Sequence, residues 1–184
     1  FSQNDVYLFI SKLDKSLELY EIDSKEVARR FVGHIDNITH LATDFEHQQF
    51  LTTSKDGSAI LWDYNSGLIK RKFKHPKGAV YSAIINQKQL ITGGSDRVIR
   101  FWDSYSGILL NELKGHQAEV TSLNISQDHK LLVSGDLDGV IKFWDLETKK
   151  EFFEYIQVGE KDFMVKTTDG YFYATEGAQN NIHF

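Results

Sequence analysis

Three segments of the chain end in the same Trp-Asp pair and are almost evenly spaced. They read "SAILWD", "VIRFWD" and "VIKFWD", and their tryptophans, Trp62, Trp102 and Trp144, lie 40 and 42 residues apart. Each tryptophan follows an aspartate by six residues. An internal period of about forty residues is the signature of a repeat architecture and takes precedence over any single motif.

Two further positions, a histidine and a hydroxyl, recur at the same period as the aspartate and tryptophan. A histidine opens each copy, an aspartate comes six residues before each tryptophan, and a hydroxyl comes four residues before that aspartate. The histidines are His34, His75 and His116, the hydroxyls are Thr52, Thr92 and Ser134, and the aspartates are Asp56, Asp96 and Asp138. An earlier, weaker copy places Asp14 six residues before Tyr20 but has Ile10 at the hydroxyl position, so it keeps the turn and loses part of the polar set.

Each copy is predicted to be a group of short strands. Runs such as "QFLTTS", "SAILWD" and "LIKRKF" are rich in β-branched and aromatic residues and are separated by glycine-containing turns. Asp56-Gly57 and Asp138-Gly139 are tight-turn signals, whereas Asp96-Arg97 has to make the same turn without glycine. We therefore expect an all-β chain of four-stranded antiparallel units.

The three "WD" endings, the two "GH" starts and the fixed Asp-to-Trp interval resemble the WD40 β-propeller family over roughly residues 1–155. The resemblance implies about four to five blades. They divide as a partial first blade 1–31, three repeats 32–73, 74–114 and 115–156, and a hairpin tail or partial blade 157–184.

The resemblance also implies a buried polar tetrad in each repeat, made of the histidine, hydroxyl, aspartate and tryptophan above. In this assignment Asp138 is buried beside His116 and Asp136 is a solvated strand-end residue, so Asp138→Ala costs about 2 to 4 kcal/mol and Asp136→Ala under about 0.5 kcal/mol. A weak cation site between these two acids is the alternative reading of Asp136. Ser, His and Asp in one unit could also indicate a hydrolase triad, but three buried copies at even pitch favour a structural role.

The amino-acid composition limits the kinds of function that this chain can have. The net charge of −5 and the scattered Lys and Arg residues disfavour nucleic acid, and the lack of cysteine excludes disulfides and thiolate metal sites within this chain. No apolar run has the length of a membrane span, and the remaining histidines lack metal-ligand spacing. We expect a cytoplasmic, non-enzymatic chain with no metal or cofactor, and its oligomeric state stays open.

The tail departs from the repeat. Residues 163–184 predict two strands around Thr168-Asp169-Gly170, then a glycine-containing bend and the short "IHF". This part resembles the segment after WD repeats in bacterial multidomain proteins with a caspase-like peptidase domain, which would lie outside this cysteine-free chain. The start at Phe1 and the incomplete first copy predict a segment of a longer propeller of about six or seven blades; the alternative is a tail hairpin that completes the first blade.

The predicted function is that of a protein-interaction scaffold, and the alternative is a regulatory or sensor module of a larger bacterial effector such as a caspase-like peptidase. In the family, the loops beside "GH" and the turn before the tetrad aspartate line the top face, where a protein or peptide partner would dock. The corresponding candidate residues are Asp36, Asn37, Lys55, Lys77, Gln117, Glu119 and Leu137. Leu137 is an apolar residue at a turn and so a candidate anchor.

Overall fold

The structure is a computed structural model that describes residues 6–179. Its strands form four antiparallel sheets in which each strand pairs with its neighbours in the sequence. The first sheet has three strands: β1 (Tyr7–Ser11), β2 (Leu17–Glu21) and β3 (Glu26–Phe31). The second has four: β4 (Ile38–Asp44), β5 (Gln49–Ser54), β6 (Ser58–Asp63) and β7 (Ile69–Lys74).

The third sheet repeats the second, and the fourth extends the pattern. The third sheet comprises β8 (Val80–Asn86), β9 (Gln89–Gly94), β10 (Ile99–Asp103) and β11 (Leu109–Leu113). The fourth comprises β12 (Val120–Ile125), β13 (Leu131–Asp136), β14 (Val140–Asp145), β15 (Lys150–Val158), β16 (Asp162–Thr167) and β17 (Phe172–Ala174). The predicted all-β class and the four-stranded repeats are confirmed.

The sheets pack face to face through three apolar clusters, one between each adjacent pair. Phe31 of the first sheet packs with Phe50 and Trp62 of the second, and the same arrangement recurs along the chain. Neighbouring residues of one strand serve different clusters, as Phe101 packs toward the fourth sheet and Trp102 toward the second. Strands β5, β6, β9 and β10 are therefore buried on both faces along almost their whole length.

The connections define two opposite faces of the molecule. Strand β8 contacts both β4 and β12, and these three strands form the inner edge. Because the sheets are antiparallel meanders, alternate connections emerge at opposite ends. We call top face the end that carries the loops before β4, β8 and β12 and the turns 55–57, 95–97 and 137–139. We call bottom face the end that carries the remaining turns of these three sheets.

The turn at the top of the third sheet forms without glycine, as predicted. Arg97 has a φ of 67°, close to the 80° of Gly57 and the 82° of Gly139 in the equivalent turns. A left-handed conformation is unfavourable for a residue with a Cβ atom. The repeat geometry thus imposes the turn on a sequence that does not favour it.

The tail adds two strands to the fourth sheet. Strand β16 pairs with β15, and β17 pairs with β16 around the predicted Thr168-Asp169-Gly170 turn. The alternative in which the tail completes the first blade is wrong, because β1 pairs only with β2 and the four sheets do not close a ring within residues 6–179. The predicted bend after β17 is a one-turn helix, α1 (Glu176–Gln179), and "IHF" lies outside the described residues.

Candidate functional site

The second sheet contains the predicted polar tetrad. His34 Nδ1 lies 2.9 Å from Asp56 Oδ2 and His34 Nε2 lies 2.9 Å from Thr52 Oγ1, while Trp62 Nε1 donates to the same hydroxyl at 2.8 Å. The backbone N–H of Ile35 also donates to Asp56 Oδ2. This network ties the top-face loop to strands β5 and β6, so the loop is held by buried polar contacts.

The fourth sheet uses a different aspartate from the predicted one. His116 Nδ1 lies 2.8 Å from Asp136 Oδ2, and the side chains of both residues are almost fully buried. Asp138, predicted to hold this position, is exposed, so both its burial and the solvation of Asp136 were predicted wrongly. Asp136 ends β13 and also accepts the N–H groups of Asp138 and Val140, which makes it both tetrad acid and turn cap.

This arrangement disfavours the alternative of a cation site between the two acids. One oxygen of Asp136 is bonded to His116 and the other to two backbone N–H groups. Within residues 6–179, no three His, Cys, Asp or Glu side chains group as metal ligands would.

The third sheet inserts an arginine into its tetrad. His75 Nδ1 is 3.9 Å from Asp96, too far for a hydrogen bond, and Arg100 Nη1 stands between them at 3.1 Å from His75 Nδ1 and 2.7 Å from Asp96 Oδ2. Arg100 is 4% exposed, and its Nε donates to Glu112. At the equivalent position of the fourth sheet, the buried Lys142 donates to two glutamates of β15.

The buried histidines are neutral. Burial lowers the pKa of His34 and of His116, although their aspartate partners partly oppose the shift. Burial, reinforced by the Arg100 guanidinium, lowers the pKa of His75 to about 4. Burial alone would raise the pKa of Asp56, but hydrogen bonds from Ser58, Ile35 and His34 lower it overall.

The Ser134–His116–Asp136 row has the connectivity of a hydrolase triad without its accessibility. His116 Nε2 lies 2.6 Å from Ser134 Oγ, and the same oxygen accepts Trp144 Nε1–H at 2.7 Å. Ser134 is 1% exposed. A nucleophile has to reach a substrate carbonyl, but this hydroxyl is enclosed between an imidazole and an indole. Its geometry therefore indicates a structural role.

All seven candidate docking residues lie on the top face, where loops and turns are bonded to each other. The N–H of Lys55 donates to Asn37 O at 3.0 Å, and the N–H of Leu137 donates to Glu119 O at 2.9 Å. Leu137 is 66% exposed. Asp36 and Glu119 are half-buried, and the exposed members are Asn37, Lys55, Lys77, Gln117 and Leu137.

The structure adds top-face residues that the sequence did not single out. Tyr81 at the start of β8 bonds to the side chain of Glu119, which links the third and fourth sheets. A shallow cavity of about 380 Å³ between Lys77 and Arg97 also opens on this face. Spacing gave no signal for either feature, because each depends on contacts between residues that are remote in the sequence.

Four packed antiparallel sheets of sequential strands define a propeller-type fold built from repeats, and three of them contain a buried histidine, hydroxyl and tryptophan joined by hydrogen bonds. The family model described as "WD domain, G-beta repeat" matches residues 25–63, 67–103 and 107–145. These matches cover more than half of the chain, which therefore belongs to the WD40 repeat family. No helix within residues 6–179 is long and apolar enough to cross a membrane.

Curated relatives share modest identity. Autophagy-related protein 16 of Arabidopsis thaliana is 21% identical over 172 residues, covering 70% of this chain and 34% of the relative. WD repeat-containing protein 37 of Homo sapiens is 27% identical over 93 residues, covering 49% and 19%. The chain thus spans about a third or less of the length of these relatives.

Solved structures share the fold. A chain in the crystal structure of the mitotic checkpoint complex superposes with a TM-score of 0.75 at 19% identity, covering 95% of this chain and 62% of that one. The computationally designed Ika8 protein superposes with a TM-score of 0.71 at 23% identity, covering 92% and 55%. At such identity, these similarities establish the propeller-type architecture and nothing about a particular partner.

Proposed function

We propose that this chain is a non-catalytic scaffold that holds a protein or peptide partner on its top face. The observation that carries the proposal is the contrast between the buried residues, which recur in each sheet, and the exposed top-face residues, which differ. Strand order, histidine, hydroxyl and tryptophan recur in three successive sheets, while the top-face side chains change from sheet to sheet. A rigid frame with a variable surface is what specific recognition requires, because loops held in place lose little entropy on binding.

Backbone bonds between loop and turn support the top face as the docking surface. The same bond recurs in all three sheets: Lys55 to Asn37, Ser95 to Ala79, and Leu137 to Glu119. Each bond fixes the loop that carries candidate side chains to the neighbouring turn. Leu137 offers an exposed apolar contact, and Lys55 and Lys77 add exposed positive charge elsewhere on the same face. An apolar anchor inside a polar rim is the usual composition of a protein interface.

A charge-matched pair of double variants tests the proposal. Leu137→Asp with Lys55→Glu changes the top face, and Leu68→Asp with Lys130→Glu makes the same two kinds of change at exposed bottom-face positions. A partner purified with the wild-type chain from its own cells is identified, and its affinity for each variant is measured by calorimetry.

We expect the top-face variant to lose binding and the bottom-face variant to keep it, with both melting at the wild-type temperature. If the folded top-face variant binds as tightly as the wild type, the partner docks elsewhere and the proposal fails.

A further inference from the structure

A cavity on the bottom face crosses three repeats. Its volume is about 1070 Å³, close to the upper limit for ligand sites. The second, third and fourth sheets each contribute turn residues to it. Its cationic side chains are Lys70, Lys88 and Lys149, and His47 and His129 also line it.

The lining contains no carboxylate, although the whole chain has a net charge of −5. The nearby turn aspartates are occupied by their own turns: Asp63 accepts from Ser66, Asp103 from Ser106, and Asp145 from Thr148. Asp44 is bonded to His47 and Gln49. The positive charge of the cavity is therefore only partly neutralised from within the chain.

Two of the lysines have no ionic partner in contact. Within residues 6–179, the Nζ atoms of Lys88 and Lys149 form no hydrogen bond or ion pair. Lys149 is half-buried, and its ammonium lies 4.2 Å from the centre of the Phe101 ring. Burial lowers the pKa of Lys149 although Asp145 opposes the shift, so an anion beside it would relieve a real electrostatic cost.

The remaining lining residues suit an extended peptide. Gln87 and Gln89 carry amides that both donate and accept hydrogen bonds, as backbone groups require, and Leu146 adds an apolar patch. Gln49 is bonded to Asp44 and Lys70, and Asn86 Oδ1 to His129. A lone small anion would use the lysines without engaging the Gln87 and Gln89 amides. We propose that the bottom-face cavity binds an acidic peptide segment, whose carboxylates meet the lysines and whose backbone meets the amides.

This site is independent of the top-face proposal, and its test uses a separate probe. Binding of a fluorescently labelled octaglutamate peptide to the whole chain is measured by anisotropy, with octaglutamine as the uncharged comparison. Lys88→Glu is expected to weaken octaglutamate binding by about tenfold, and added salt is expected to weaken it further. Lys149→Met keeps an apolar stem over Phe101 while removing the charge, and should weaken binding by several-fold.

The matched control is Lys130→Glu, an exposed bottom-face lysine outside the cavity, which should change the affinity by less than about twofold. Three results would overturn the proposal: no binding of octaglutamate, equal losses for Lys88→Glu and Lys130→Glu, or equal affinity for octaglutamine. Inorganic phosphate that displaces the peptide better than chloride at equal ionic strength would instead indicate a small-anion site, and would also overturn it.

Discussion

Arg100 Nη1 donates a hydrogen bond to His75 Nδ1 across 3.1 Å in the buried interior of the third sheet. An arginine nitrogen cannot accept a hydrogen bond, so Nδ1 of the neutral imidazole must carry the lone pair and Nε2 the proton. Nε2 then donates to Thr92 Oγ1 at 2.8 Å. In the second and fourth sheets a carboxylate faces Nδ1. Because a carboxylate only accepts hydrogen bonds, we expect the proton on Nδ1 there.

We predict that the three tetrad histidines differ in tautomer. Long-range ¹H–¹⁵N correlation spectra at neutral pH should show His75 with its proton on Nε2, and His34 and His116 with theirs on Nδ1. The reason is that Nδ1 faces an arginine in the third sheet, whereas it faces an aspartate in the second and fourth sheets. Finding the same tautomer in all three would show that Arg100 does not occupy the position described here.

Stability should fall as the pH is lowered from about 6.5 to about 4. The folded-state pKa of His34, His75 and His116 is lowered by burial, so below pH 6.5 the unfolded chain binds protons that the folded chain does not. Stability is therefore full above the unfolded pKa and is lost progressively down to the folded pKa, which is about 4 for His75. His75 alone accounts for roughly 3 kcal/mol.

Urea melts at several pH values check this expectation. Asp56, whose pKa is also lowered, contributes stability above its ordinary value, and that contribution disappears at still lower pH. The effect of the histidines on the free energy of unfolding is therefore measured above pH 4.5. An unchanged free energy of unfolding between pH 6.5 and 4.5 would contradict the assignment of three neutral buried imidazoles.

Arg97→Gly should stabilise the chain by about 1 kcal/mol, because glycine removes the cost of a left-handed residue. Arg97 is exposed and has a φ of 67°, so the exchange disturbs little else. Thermal melts should show a higher Tm.

The matched control for this turn is Gly139→Ala. A Cβ atom at Gly139 meets nothing within 4 Å, so its expected cost of about 1 kcal/mol comes from the backbone φ of 82° alone. If Arg97→Gly lowers the stability, the turn does not have the conformation described here.

Much of the fold could be predicted from the sequence because its signals are local and repeated. The strand period, the Asp-Gly turns and the Trp-Asp spacing each depend on residues that are close in the chain, and repetition removes the ambiguity of any single copy. The strained turn at Arg97 followed from aligning it with Gly57 and Gly139. Even the tail hairpin was visible from its own turn residues.

The errors arose where the outcome depends on contacts that are remote in the sequence. In "GDLDGV", the interval to Trp144 selected Asp138, but Asp136 at the end of β13 reaches His116 and Asp138 points to solvent. Two acids on either side of a turn cannot be distinguished by spacing alone. Likewise, no local pattern tells that β16 pairs with β15 rather than with β1, because sheet partners are chosen by tertiary packing.

Replacing each acid of this turn separately should give opposite results to those expected from spacing. Asp136→Ala removes the partner of His116 and the acceptor of two backbone N–H groups, and should cost about 2 to 4 kcal/mol in a urea melt. Asp138→Ala changes an exposed side chain and should cost under about 0.5 kcal/mol. Equal losses would mean that burial does not separate the two residues.

The buried hydrogen bonds among histidine, hydroxyl, aspartate and tryptophan hold each top-face loop against its sheet. A double-mutant cycle between His116 and Asp136 tests this role most directly. His116→Ala, Asp136→Ala and the double variant are compared with the wild type by urea unfolding, and the same cycle is measured with Asp138. We predict a coupling energy above about 1 kcal/mol for His116 with Asp136 and one near zero for His116 with Asp138. A larger coupling to Asp138 would contradict the frame described here.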